Sequence, residues 1–137
     1  MPPFRHSLRV RYNECDPQNV VFNANYLTYF DIAITELWRE ALGSYQQMLD
    51  SGVDVMVAEA GARFLAPARF DELLDVEATI ERMGRTSMTT ALRVTRDGEP
   101  VTEGELRHVF IDLETQAKRE IPADIRRALA RYADPDG

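Results

Sequence analysis

Residues 12–38 form the stretch YNECDPQNVVFNANYLTYFDIAITELW. It begins with a loop that carries an acid, Asp16, and the proline that follows disfavours helical geometry at that acid. From about residue 24 to Gly43, apolar side chains recur every three or four positions, which predicts an amphipathic helix of roughly 19 residues. The stretch therefore predicts an acid on a loop beside the start of a long helix.

An acid next to a helix start supplies two parts of an acyl-transfer site. A carboxylate can attack a carbonyl or activate water, and the first backbone N–H groups of a helix have no acceptor within the helix, so they can hold an oxyanion. An acid in such a loop is also common as a turn former or a cap. From the local pattern alone, both interpretations of Asp16 stay open.

Length and composition restrict the class of protein. A chain of 137 residues fits one domain, with predicted bounds 1–137, and the net charge of −7 argues against nucleic acid as a main partner. The one cysteine, Cys15, excludes an internal disulfide and favours a reducing compartment. No apolar run approaches the ~20 residues needed to cross a bilayer, and residues 1–7 lack a signal-peptide core. We therefore expect a cytoplasmic protein.

The remainder of the chain alternates between strand-like and helix-like patterns. Gly61 is expected to mark a bend or bulge, and Asp97-Gly98 to form a hairpin turn. Asn23 or Asn25 is expected to cap the long helix. The predicted elements are strands at 4–12, 53–65, 74–81, 88–95 and 101–113, the long helix, a short helix capped by Ser44, and a closing helix that begins at Pro122.

Short connections between successive strands predict an antiparallel sheet, so the fold class is α+β, with one long helix laid across one curved sheet. One helix leaves an edge and part of the sheet uncovered, and we therefore expect self-association. No metal or cofactor is expected, because no metal-ligand spacing, glycine-rich phosphate loop or G-x-S-x-G motif occurs. His6 and His108 lie in strand patterns, which favours structural roles.

The run from Tyr12 to Tyr26 resembles the signature of the hotdog-fold acyl-CoA thioesterases. It is most similar to the hydroxybenzoyl-CoA thioesterase group and its relatives associated with the Tol–Pal system. Three later segments agree with this resemblance: FLAPA at 64–68, GRTS at 84–87 and DLET at 112–115.

The resemblance implies a hotdog fold, in which a five-stranded antiparallel sheet wraps one long central helix, and hydrolysis of an acyl-CoA or acyl carrier protein thioester. It implies that Asp16 is the nucleophile or the general base and that the backbone N–H at Asn23 polarises the carbonyl. The family's site lies between two subunits, and its dimers often pair into tetramers. Tol–Pal-associated relatives carry a histidine where this chain has Asn23, and an asparagine cannot shuttle a proton.

The residues around this stretch and the turn at 84–87 are the candidates for contact with the substrate. A basic cluster near that turn, which includes Arg82, Arg85, Lys118 and Arg119, is the candidate for the coenzyme A phosphates. Two alternatives remain open: a hotdog module that only binds acyl-CoA, and a hotdog acyl dehydratase or hydratase. The predicted substrate-binding residues are Tyr12, Val20, Phe22, Tyr26, Glu59, Arg85, Thr86 and Ser87.

Overall fold

Five antiparallel strands and three α-helices make up the computed structural model, which describes residues 4–134. The predicted domain bounds also include 1–3 and 135–137, which lie outside the described residues. The strands are β1 (Phe4–Arg9), β2 (Val53–Phe64), β3 (Leu73–Met83), β4 (Ser87–Arg96) and β5 (Glu99–Asp112). The helices are α1 (Asn25–Leu42), α2 (Tyr45–Asp50) and α3 (Ala123–Ala130), and a short 3-10 helix spans Tyr12–Glu14.

The strands form one sheet in the order β1-β3-β4-β5-β2, and every neighbouring pair is antiparallel. The predicted α+β class with a five-stranded antiparallel sheet is confirmed. The Asp97-Gly98 hairpin between β4 and β5 is also confirmed, since both residues have the positive φ (51° and 83°) that this tight turn requires. The strands β1 and β2 are the two edges of the sheet.

Helix α1 lies against the sheet and buries its aromatic face. It ends at Gly43, whose φ of 90° suits a residue without a side chain, as the sequence predicts. The predicted cap at its start is wrong: the N-cap residue is Ala24, with no side-chain cap. The Asn25 amide instead donates to the carbonyl oxygen of Glu14 at 2.7 Å, so this side chain connects the helix to the preceding loop.

The helical layer contains more than one helix. Helix α2, capped by the Ser44 hydroxyl as expected, buries Met48, and α3 buries Ile125 and Leu129. The description of one long central helix wrapped by the sheet is therefore correct only in part, because three helices share the covering of the core. In the part of the chain that the structure describes, no helix is long and apolar enough to cross a membrane.

The contact between α1 and β5 is close at Gly104. A Cβ on this residue would lie 2.3 Å from the carbonyl oxygen of Gly61 and 2.7 Å from Cε2 of Phe30, which is fully buried in the first half of α1. The bulge predicted at Gly61 is absent there; the β2–β5 register shifts between Val57 and Glu59 instead. A glycine at position 104 thus allows the helix to approach the sheet.

Strand β2 leaves much of its surface open. Its first residue is buried, but the residues from Met56 to Gly61 are all exposed. Met56, Val57 and Phe64 are 55%, 51% and 49% exposed, which is unusual for large apolar side chains. Because β2 is an edge strand, its outer backbone groups are unpaired as well.

We expect Gly104→Ala to lower the free energy of unfolding by about 1–3 kcal/mol, because the added methyl group overpacks the helix–sheet contact. Gly84→Ala is the matched control, since its Cβ would meet its nearest neighbour at an ordinary 3.5 Å. The control should change the free energy of unfolding by less than about 0.5 kcal/mol. Chemical denaturation measures both variants, and equal stability of Gly104→Ala and wild type would contradict the close-approach argument.

Candidate active site

The loop that carries Asp16 is a tight turn closed by backbone hydrogen bonds. The Asp16 N–H donates to the Val20 carbonyl at 2.9 Å, and the Asn19 N–H donates to the Asp16 carbonyl at 2.9 Å, with Asn19 at a φ of 66°. One carboxylate oxygen of Asp16 accepts the Gln18 N–H at 2.8 Å. The other accepts no hydrogen bond from residues 4–134. Asp16 therefore forms the turn with one carboxylate oxygen and leaves the second without a hydrogen-bond donor among the described residues.

The start of α1 lies directly beyond this loop. The Phe22 N–H donates to the Glu14 carbonyl at 3.0 Å, and the Asn25 N–H donates to the Phe22 carbonyl at 2.8 Å. Between them, the N–H groups of Asn23 and Ala24 donate to no acceptor within the described residues. Because a helix N-terminus carries partial positive charge, these two amides are suited to hold a developing oxyanion.

A cleft of about 270 Å³ opens beside the helix start. Tyr26 lines it, with its ring centroid 5.7 Å from that of Phe64, and burial raises the pKa of the Tyr26 phenol. No lining residue is charged, so the cleft suits an uncharged group. The residues that line it are Val20, Val21, Asn23, Tyr26, Phe64, Leu65, Ala66 and Pro67.

The two walls of the cleft are fixed by backbone hydrogen bonds. On one side, the Val21 N–H donates to the carbonyl of the fully buried Ala68 at 2.8 Å. On the other side, the N–H groups of Leu65 and Ala66 both donate to the Val101 carbonyl, at 2.9 and 3.1 Å. The walls are therefore tied to the sheet and to each other.

The structure brings some of the predicted site residues together. Val20, Asn23 and Tyr26 line the cleft. The Asp16 backbone N–H donates a hydrogen bond to the Val20 carbonyl. Phe22 is exposed and lies outside the lining. Tyr12 is 80% exposed and packs edge-on against Phe70, with centroids 5.8 Å apart. It is placed on the surface and not in the cleft.

The remaining predicted residues lie elsewhere on the same chain. Glu59 is on the exposed part of β2, with one carboxylate oxygen 4.0 Å from Nε of Arg107. Arg85 and Thr86 lie in the turn between β3 and β4, and Ser87 is the first residue of β4. The Thr86 carbonyl accepts the Phe110 N–H at 2.8 Å.

That turn and the cleft lie toward opposite ends of the sheet. Ser87 pairs with Val109 of β5, whereas Phe64, at the cleft, pairs with Thr102 of β5. Positions 102 and 109 are separated by seven residues, or about 23 Å of extended strand. Within one chain, the two groups of residues are therefore far apart along β5.

Sequence reasoning missed the acid that anchors the loop. Glu14 is 9% exposed, and its carboxylate accepts the Tyr29 hydroxyl at 3.0 Å and the Arg11 N–H at 2.8 Å. Burial first, and then the hydrogen bond to this carboxylate, raises the pKa of Tyr29. No local pattern links an acid in a loop with a tyrosine fifteen positions later. Residues 64–67, which form one wall of the cleft, were identified in the sequence by their family resemblance and not as part of a site.

A family model described as the thioesterase superfamily matches residues 18–103, which is more than half of the chain. The match begins just after Asp16. A curated relative, the acyl-CoA thioester hydrolase YbgC of Escherichia coli O6:H1, is 29% identical over 123 residues, which cover 89% of this chain and 92% of the relative.

Solved structures share the same architecture. A hypothetical protein of Thermus thermophilus, TT1821, is 32% identical with a TM-score of 0.87, over 94% of this chain and 98% of that one. The 1,4-dihydroxy-2-naphthoyl-CoA thioesterase of Synechocystis has a TM-score of 0.85 at 20% identity, over 98% of both chains. At that identity the second likeness shows the fold alone.

Proposed function

The chain belongs to the hotdog-fold thioesterase superfamily, and from that premise we propose that it hydrolyses an acyl-CoA or acyl carrier protein thioester to a free acid and a thiol. The observation that carries this proposal is the position of the Asp16 loop, beside a helix start where two amides have no acceptor among residues 4–134. The name of the YbgC relative as an acyl-CoA thioester hydrolase supports the same reaction.

In the proposed reaction, the free oxygen of Asp16 either attacks the thioester carbonyl or takes a proton from the attacking water. The carbonyl oxygen becomes negative and accepts hydrogen bonds from the N–H groups of Asn23 and its neighbour Ala24. One such donor typically contributes ~3 kcal/mol to transition-state stabilisation. The C–S bond then breaks and the sulfur leaves as a thiolate, which needs no proton from the side chain of Asn23. Where Asp16 has attacked, water then hydrolyses the acyl-aspartyl anhydride, which releases the free acid and restores the carboxylate. The uncharged cleft holds the acyl group.

We propose that the working unit is a homodimer, or a tetramer built from dimers, with 1–137 as one cytoplasmic domain. The exposed apolar surface on β2 supports pairing with a second copy. The distance between the cleft and the turn at 84–87 supports it independently, because a second copy can bring its own Arg85, Thr86 and Ser87 to the pantetheine arm. Glu59, also on β2, then lies near the junction of the two chains.

The two alternatives make different demands. A hotdog dehydratase pairs an acid with a histidine, whereas His108 is buried against Trp38, with ring centroids 6.2 Å apart, and burial lowers its pKa. A module that only binds acyl-CoA has no need for the free oxygen on Asp16. Release of free thiol from a panel of acyl-CoAs separates this module from an enzyme.

We expect Asp16→Asn to lower turnover by at least ~10²-fold, the usual scale for a positioned acid or base, while the fold is kept. Asparagine can form the same turn, so structural loss is small. Asp112→Asn is the matched control, because the Asp112 carboxylate also caps a turn, accepting the Glu114 and Thr115 N–H groups at 2.9 and 3.0 Å. Wild-type turnover in folded Asp16→Asn would remove this residue from the mechanism.

Light scattering should give a dimer or a tetramer at micromolar concentration. Val57→Lys should shift the protein toward monomer and reduce turnover, since a charge on an edge strand opposes pairing. Leu73→Lys, which charges a similarly exposed apolar position on β3, should leave the assembly unchanged. A fully active wild-type monomer would contradict both the assembly and the two-chain site.

Arg85→Ala should raise the KM for an acyl-CoA with kcat nearly unchanged, because a contact with the phosphates is uniform between ground and transition states. The variant should lose much less with an acyl-pantetheine, which lacks the nucleotide. Arg5→Ala, another exposed arginine but on β1, serves as the control. Equal losses on both substrates would show that Arg85 acts on structure or chemistry and not on the phosphates.

A further inference from the structure

Glu14 is a buried carboxylate that does not border the cleft. Its Oε1 accepts the Arg11 backbone N–H at 2.8 Å and the Tyr29 hydroxyl at 3.0 Å, and its Oε2 accepts Arg11 Nε at 3.0 Å. The guanidinium of Arg11 adds a second contact at 3.0 Å through Nη2. A buried charge requires partners of this kind, and here both oxygens are engaged. The carboxylate therefore has no oxygen left for a substrate.

The backbone of the same residue makes two further connections. The Glu14 carbonyl accepts the Phe22 N–H at 3.0 Å and the Asn25 side-chain amide at 2.7 Å. Glu14 therefore joins the segment before the Asp16 loop, the segment after it, and the first turn of α1. Its side chain reaches the second turn of the helix through Tyr29.

Tyr29 is the buried contact of this network on α1. The residue is 1% exposed, and its ring packs edge-on against Tyr26, which lines the cleft, with centroids 5.6 Å apart. Burial raises the pKa of the Tyr29 phenol, and its hydroxyl donates to Glu14. The Asp16 loop is thus connected, through Glu14 and Tyr29, to the buried face of α1.

We propose that Glu14 is a positioning residue for the hydrolysis: through Tyr29 and Arg11 it sets the Asp16 carboxylate at its working distance from the amides of Asn23 and Ala24. The inference rests on the proposed function. Displacements of about 1 Å in a reacting group can cost ~10²-fold in rate, so loss of this anchor should be visible in turnover.

The first test is Tyr29→Phe, which removes one hydroxyl and retains the buried ring. We expect kcat to fall about tenfold with KM changed by less than about twofold, because the acyl and carrier contacts are kept. Tyr132→Phe is the matched control: its buried hydroxyl donates to the Glu40 carboxylate at 2.8 Å, at the contact between α1 and the end of the chain. That variant should keep wild-type kcat even where its thermal stability falls.

The second test is a double-mutant cycle. If Glu14 acts through Asp16, then Tyr29→Phe should cause no further loss in an Asp16→Asn background, since there is no working carboxylate left to position. Losses that multiply would show a general structural effect and overturn the proposal. Arg11→Leu, at a side chain that is 70% exposed, removes the other side-chain donors and should lower kcat in the same non-additive way.

The outcomes separate this inference from the proposed function. If Asp16→Asn loses turnover and Tyr29→Phe does not, the positioning role is wrong and the proposed function stands. If folded Asp16→Asn keeps wild-type turnover, the assigned role of Asp16 is wrong and the positioning role is wrong with it. Circular dichroism of each variant establishes that the comparison is made between folded proteins.

Discussion

The contact between Phe30 and Gly104 determines where α1 lies on the sheet. With no Cβ at position 104, the aromatic ring packs onto the strand backbone, and a methyl group there would overlap the Gly61 carbonyl. Phe30 lies only about one turn from the start of α1, so this contact also fixes the first turn. The amides of Asn23 and Ala24 then lie next to the Asp16 loop, and the geometry of the candidate site follows from packing in the core.

Local patterns in the sequence were sufficient for most of the secondary structure. The spacing of apolar residues predicted α1 and its end at Gly43, and Asp97-Gly98 predicted the hairpin, because these features depend on neighbours a few positions apart. The cap of α1 was predicted wrongly because the Asn25 side chain bonds to the Glu14 carbonyl, eleven residues away. Its choice of partner was decided by the tertiary structure.

In the candidate site as well, local sequence predicts some features and tertiary structure decides the others. Asp16 and Asn23 were identified from a short run with a family resemblance, and Val20 and Tyr26 belong to that run. The role of Glu14 depends on Tyr29, and the wall at Phe64 depends on the order of strands in the sheet; neither is encoded in neighbouring residues. The distance from the cleft to the turn at 84–87 follows from the pairing of β5 with both β2 and β4, which local sequence does not show.

The two edges of the sheet differ in a way that bears on aggregation. Strand β2 has 12 residues and β1 has six, and only β2 carries the long exposed apolar surface. Two copies that join through β2 use up the long edge of each and present only short β1 edges to solvent. Growth by further strand addition then lacks a template, because short edges are poor ones. In the proposed dimer, the unequal strand lengths therefore make growth by strand addition self-limiting.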